Sequence, residues 1–135
     1  MKKIYIERFF FVFFCLSTLY ACSEKTNYPE GKQLYELHCA SCHGKQGEGL
    51  ESLIPPLAAA DMLQNNAVEV ACWIRKGLEG KILVNGKEFE NVMPPNERLS
   101  NTEITNIINY VQNAWGNKHK FITLEEVNQV LKNCK

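Results

Sequence analysis

The chain lacks a block of like charge. Its 15 lysines and arginines balance its 15 aspartates and glutamates, and neither half is basic, so nothing in it points to a nucleic-acid partner. No second Cys-x-x-Cys or histidine pair follows its Cys-x-x-Cys at a spacing that would complete a zinc site. No strand-then-helix pattern surrounds its single Cys-x-x-Cys, which argues against a redox-active dithiol. It has no apolar run of comfortable spanning length; the longest, Phe9 to Tyr20, is short and clearly terminated. With 45% hydrophobic and 22% charged residues it is not a disordered chain, and 135 residues allow one compact domain and little else.

What is present begins at the N-terminus. Lys2, Lys3 and Arg8 precede the apolar run, and Ala21 and Cys22 close it, the layout of an export signal. The tetrad Leu19-Tyr20-Ala21-Cys22 resembles the bacterial lipoprotein cleavage box. That resemblance implies residues 1–21 as a signal peptide, cleavage before Cys22 and acyl chains on Cys22. Residues 22–30 are polar and unperiodic, as suits a tether holding the domain off the membrane. The expected location is the cell envelope, facing the periplasm and lipid-anchored. The cleaved chain is mildly acidic, too weakly to name a partner.

The six cysteines then sort themselves. Cys15 leaves with the signal and Cys22 takes lipid. Cys39-Ala40-Ser41-Cys42-His43 is the attachment pattern for c-type haem. Two thiols on one helical turn can add to the two vinyl groups of a porphyrin, and the histidine that follows then lies beneath the iron as an axial ligand. Cys72 and Cys134 are left. In an oxidising compartment they suggest a disulfide; the alternative is a buried thiol at Cys72 and a free one in the tail.

From about Gly31 to Trp115 the chain resembles the class I monohaem cytochrome c family. Gly31, Tyr35 and Cys39 match the glycine, aromatic and first haem cysteine of that family's first helix, one turn apart on one face. Ile107 and Tyr110 match the apolar and aromatic residues of its last helix. Pro55 matches the proline whose carbonyl accepts the Nδ1 hydrogen of the axial histidine, a bond that fixes the tautomer. Met93, followed by Pro94-Pro95 and preceding the last main helix, is the expected sixth ligand; prolines stiffen the loop that presents it. Met62 lies too early on the chain for that role. His119, in a polar stretch past Trp115, is the second choice, with a solvated surface position expected for it, and His38 is expected at the surface. Trp73 and Trp115 are expected to pack or cover the haem. Ala40, Lys45, Gln46 and the Met93 loop are expected near an exposed haem edge.

Local signals agree with an all-α fold of helices around one covalently bound haem, with a small hairpin before Met93 and an extra C-terminal helix. Glu30 to Cys39 reads as a short helix, and Ala67 to Lys76 as another stopped by Gly77. Asp61 stands where it can cap a short turn. Asn85-Gly86 between Ile82-Leu83-Val84 and Phe89 signals a tight hairpin. Ser100 with Glu103, and Thr123 with Glu126, read as capping boxes. Ile104, Ile107, Ile108, Val111 and Trp115 keep helical period up to Gly116. Leu124, Val127, Val130 and Leu131 do so in a last helix ending near Lys132. Arg75 and Lys76 suit a helix C-terminus, with a haem propionate as a further candidate contact. The expected domains are a cytochrome c domain over 31–116 and a helical extension over 117–135.

The function expected is single-electron carriage, without enzymatic activity, between redox proteins or a membrane oxidase or reductase of a respiratory chain. Two alternatives stand beside it: an electron-entry haem subunit of a larger oxidase or reductase complex, and a haem ligand sensor with an open iron site.

Overall fold

The computed structural model describes residues 26–134. The expected signal peptide, Cys15, the lipidation site Cys22 and the first part of the tether, 22–25, lie outside the described residues. Among those described there are helices α1 (Pro29–His38), α2 (Ala40–His43), α3 (Asp61–Asn65) and α4 (Val70–Lys76), strands β1 (Ile82–Val84) and β2 (Lys87–Phe89), then α5 (Asn101–Val111) and α6 (Leu124–Leu131). The fold is helical apart from the one hairpin.

Helix α1 starts at Pro29, because proline's fixed φ and missing N–H suit the first helical position. Tyr28 before it packs on the core, so the tether is shorter than 22–30. On the buried side of α1 lie Gly31 and Tyr35. A Cβ on Gly31 would collide with the Asn106 carbonyl of α5 and stand 2.8 Å from the Tyr110 Cβ. Only a glycine lets the two backbones cross this closely. Beside the crossing, Tyr35, Tyr110 and Trp115 form an aromatic cluster with ring centroids 5.0 to 5.6 Å apart.

Helix α5 begins in the expected capping box: Ser100 Oγ accepts from the Glu103 N–H, and Glu103 returns a carboxylate to the Ser100 N–H at 2.7 Å. It ends at Val111, earlier than the periodicity through Trp115 suggests. Asn117 is the reason. Its Nδ2 donates to the Val111 and Leu57 carbonyls at 2.8 and 2.9 Å, and its Oδ1 accepts from the Ala59 N–H at 2.9 Å. One buried amide thus closes the helix and ties it to the loop before α3. Helix α4 likewise starts at Val70, three residues later than expected, because the Ala67 carbonyl is taken by Gln112 Nε2 at 2.7 Å. Asp61 does not cap its own helix. Its carboxylate accepts from the Asn85 N–H at 2.8 Å while Asn85 Oδ1 accepts from the Asp61 N–H at 3.0 Å, which pins the hairpin turn to α3. In that turn Asn85 and Gly86 both have positive φ, as a tight two-residue hairpin requires.

The C-terminal extension is part of the core. Buried Asn109 of α5 exchanges hydrogen bonds with the Ile122 backbone at 2.8 and 2.9 Å, and Val127 of α6 is fully buried. Thr123 and Glu126 form the second capping box. A Cys72–Cys134 disulfide, with its Cα atoms 5.6 Å apart, fastens the end of the chain to α4.

Two outcomes are expected. Gly31→Ala forces the α1–α5 crossing apart and lowers stability by roughly 1–3 kcal/mol, the usual range for overpacking, read from denaturant unfolding of the haem-loaded protein. Replacing Cys72 and Cys134 together by serine costs about 4 kcal/mol by the chain-entropy relation for a loop this long; reductant applied to the native chain produces the same loss, and none to the variant.

Candidate haem-binding site

Cys39 sits at the junction of α1 and α2, where its carbonyl accepts from the Cys42 and His43 N–H groups at 3.1 and 2.9 Å. The motif therefore occupies one tight turn. Both thiols are free, Cys39 half-buried and Cys42 exposed. Burial, helped by the neighbouring Cys42, pushes the Cys39 thiol up to about 11. The turn is anchored from behind: the Tyr35 hydroxyl donates to the Gly44 carbonyl at 2.6 Å, just past the histidine. Burial, with the nearby cysteine, raises the Tyr35 phenol well above its ordinary value, so it stays a donor.

His43 Nδ1 lies 3.2 Å from the Pro55 carbonyl. A carbonyl can only accept, so Nδ1 carries the hydrogen and the Nε2 lone pair is left for a metal. Burial lowers the His43 pKa, against a smaller opposing effect of the Pro55 bond, which favours the neutral imidazole that coordination needs. Pro55 is presented by a loop pinned at both ends: the Gly49 N–H donates to the His43 carbonyl at 2.8 Å, and the Leu57 and Ala58 N–H groups to the Gly47 carbonyl at 2.7 and 2.9 Å.

His43 opens onto a cleft with about 680 Å³ of empty space, part of it open to solvent. Its walls are almost wholly apolar, with Ile74, Ile107, Ile108, Val111, Leu57 and Val84 among them. Met93 stands in the same cleft. Two smaller hollows adjoin it, one beside Leu53 and Val92 and one beside Pro94 and Pro95; His43, Cys42 and Met93 line both. Met93 is held by reciprocal backbone bonds with Leu78 at 3.0 and 2.9 Å, and the Asn96 N–H donates to the Ile74 carbonyl at 2.8 Å. Gly77 ends α4 with φ +82°, and a Cβ there would crowd the Met93 carbonyl at 2.5 Å and the Pro95 nitrogen at 3.1 Å. A stop glycine for one helix is thus also what lets the methionine loop lie against it.

The other expectations divide. Met62, set aside on chain position, also lines the main cleft, though neither smaller hollow. Trp73 lines the cleft, while Trp115 packs away from it with Tyr35 and Tyr110. His38 is exposed. His119 is neither a cleft residue nor a solvated one: its backbone N–H bonds the Gln112 carbonyl at 3.2 Å, which draws the side chain in until Nε2 is buried. Arg75 does not wait for a propionate. Its guanidinium donates to the Glu97 carbonyl and Asn101 Oδ1 at 2.8 and 3.0 Å, bracing the segment between the methionine loop and α5. Sequence reasoning missed Asn117, Gln112 and Asn109, polar residues inside or just past an apolar helix, a position that itself signals a buried amide taking on loop carbonyls.

Two free thiols on one turn, an imidazole with one nitrogen already engaged, and a flat apolar slot with a thioether in it fit a covalently held porphyrin. The comparisons agree. The profile of the family described as Cytochrome c matches residues 28–115. The chain is 31% identical over 110 residues to a cytochrome c-552 of Thermus thermophilus, covering 75% of this chain and 83% of that one. It is equally similar to a second cytochrome c-552 of the same species, of which it covers 74%. It is 24% identical over 100 residues, covering 64% of this chain, to the cytochrome c subunit of a quinone alcohol dehydrogenase of Gluconobacter oxydans, of which it spans only 18%. The chain belongs to the cytochrome c family: it has the cytochrome c fold, carries haem c bound covalently, and its work is haem-based electron transfer.

Tyr35→Phe removes the hydroxyl that holds Gly44 and leaves that carbonyl short of a partner; the expected loss is about 1 kcal/mol, measured by thermal unfolding, with the haem spectrum kept.

Proposed function

We propose that this protein is a single-electron carrier whose haem is attached through Cys39 and Cys42 and ligated by His43 and Met93. We place it in the cell envelope facing the periplasm, held to the membrane by lipid on Cys22 and exchanging electrons with redox proteins or a membrane oxidase or reductase of a respiratory chain. The observation that carries the reading is that His43 and Met93 line the same cleft and both of its side hollows, each fixed by its own set of backbone hydrogen bonds.

When bound, the haem supplies an iron that changes oxidation state by one electron. The chain's own contribution is to bind, orient and exclude water. The Pro55 carbonyl sets the imidazole tautomer and makes Nε2 a better donor. The Leu78 and Asn96 bonds hold the thioether in place without requiring the loop to rearrange with each electron. A soft thioether favours ferrous iron over what a second imidazole would give, so the pair raises the potential. His43 and Met93 would together hold the iron and keep small molecules from it, which supports a carrier over an enzyme. Cys42 is exposed, so a porphyrin attached there would present that edge to solvent, where a partner could exchange electrons with it.

A fixed electron-entry subunit of a larger complex is the second reading, supported by the similarity to a chain named as a cytochrome c subunit of a dehydrogenase.

The deciding test is Met93→Ala. The weak near-infrared absorption of methionine-ligated ferric haem is expected in the native protein and absent in the variant. The variant's potential falls by a sizeable fraction of the roughly 0.8 V that axial ligation can span, and its ferrous form binds carbon monoxide. A native protein that lacks the absorption and binds carbon monoxide readily has an open iron, and the carrier reading fails.

A further inference from the structure

Among the described residues, exposed large apolar side chains include Leu37 on α1 and Leu83 on β1. Leu53 and Val92 form one group beside the cleft, with Leu50 bridged to Ile54 next to it. Phe121 and Leu124 lie elsewhere, 55% and 41% exposed at the entry to α6, next to the exposed lysines Lys118 and Lys120. The haem does not account for this second group.

Where the N-terminal chain enters the domain bears on it. Thr26, Asn27 and Tyr28 share a groove with Asn113, Trp115, Gly116, Asn117 and Lys118. From Lys118 the chain runs back along α5, held by the His119–Gln112 bond and then by Ile122 on Asn109. Phe121 is three residues from Lys118, so it lies within roughly 10 Å of that groove at full extension. Cys22 is four residues before Thr26 and can be no more than roughly 14 Å from it. On the reading that Cys22 carries lipid, which this inference rests on, the leash keeps the membrane surface close to the groove end of the molecule. Cys39 is at the other end of α1, about 15 Å along the helix from Pro29.

From this placement we propose that Lys118, Lys120, Phe121 and Leu124 form a membrane-seating surface, with the two apolar side chains in the headgroup layer and the lysines against anionic lipid phosphates. Lys32, which also lines the groove, adds a further cation. The acidic groups nearby are Glu125 and Glu126, with exposed Glu30 in the first turn of α1 on the groove side, set against Lys32. Glu126 is turned back onto Thr123 in the capping box, and Glu125 accepts from Gln129 at 2.8 Å, so both carboxylates are engaged along their own helix. Exposed aromatic and aliphatic groups flanked by lysine are the composition that lies at a bilayer interface. A seat of this kind turns a four-residue leash into a fixed orientation, with the exposed Cys42 side of the cleft directed to the aqueous phase.

The test uses the full haem-loaded, lipid-carrying chain on vesicles of mixed zwitterionic and anionic phospholipid. A membrane-impermeant lysine-acylating reagent is applied and the rate at each lysine is mapped by mass spectrometry. The same is done for Phe121→Asp/Leu124→Asp, whose side chains are exposed, with an unchanged haem spectrum and melting temperature as the check on folding. Lys118 and Lys120 are expected to react roughly fivefold more slowly in the native chain than in the variant, with Lys81 on the hairpin alike in both. Equal rates at Lys118 and Lys120 in a chain that floats with the vesicles overturn the seat and leave the lipid anchor standing. Cys22→Ser, run in parallel, reads the anchor by itself: a native chain that floats no better than this variant overturns the anchor, and the seat with it.

Discussion

The close crossing of α1 and α5 is the constraint on which the rest depends. It exists because position 31 has no side chain. With the backbones that near, Tyr35 comes under Tyr110 and Trp115, and its hydroxyl reaches the Gly44 carbonyl. The turn that carries Cys39, Cys42 and His43 is thereby held from both sides, by the helix it continues and by the tyrosine behind it. His43 inherits its position from a contact between two helices that meet at Gly31, about three helical turns earlier in the chain.

The opposite wall of the cleft is built on another principle. No helix presents Met93. It is hung from the end of α4 by backbone hydrogen bonds, and Gly77 makes the room. Between the two walls the side chains that would form a central core, Ile74, Ile107 and Ile108, are buried and also face the cleft. The domain keeps its middle for a cofactor, and a large share of the apolar burial that a chain of this size needs is left for the porphyrin to complete.

Much of this is legible in the sequence. The attachment motif, the hairpin turn and both capping boxes are local patterns whose chemistry is carried by nearby residues, whereas the helix-crossing residues Gly31, Tyr35 and Tyr110 are legible through the family resemblance. The helix ends are less legible. Trp115 keeps the period of α5, yet the helix stops at Val111 because Asn117 claims its carbonyl, and α4 starts late because Gln112 claims another. Such long-range amide bonds leave no mark in periodicity. Met62 and His119 depart from expectation for a related reason: position along the chain says little about what a loop or strap folds toward. Asp61 stands where it could serve its own helix, yet its partner is the hairpin turn.

The bond between Cys72 and Cys134 has a consequence for how the molecule is made. Of the single disulfides these four thiols could form, only Cys72–Cys134 leaves both Cys39 and Cys42 for a porphyrin. One pair must be oxidised and the other must stay reduced until its vinyl partners arrive. The two demands have opposite sign and fall on a single chain in a single environment. Cys39 and Cys42 precede both Cys72 and Cys134 in the chain, so the pair that must stay reduced is complete before the pair that must be oxidised. The fold thus asks for a division of labour among its thiols as well as a shape.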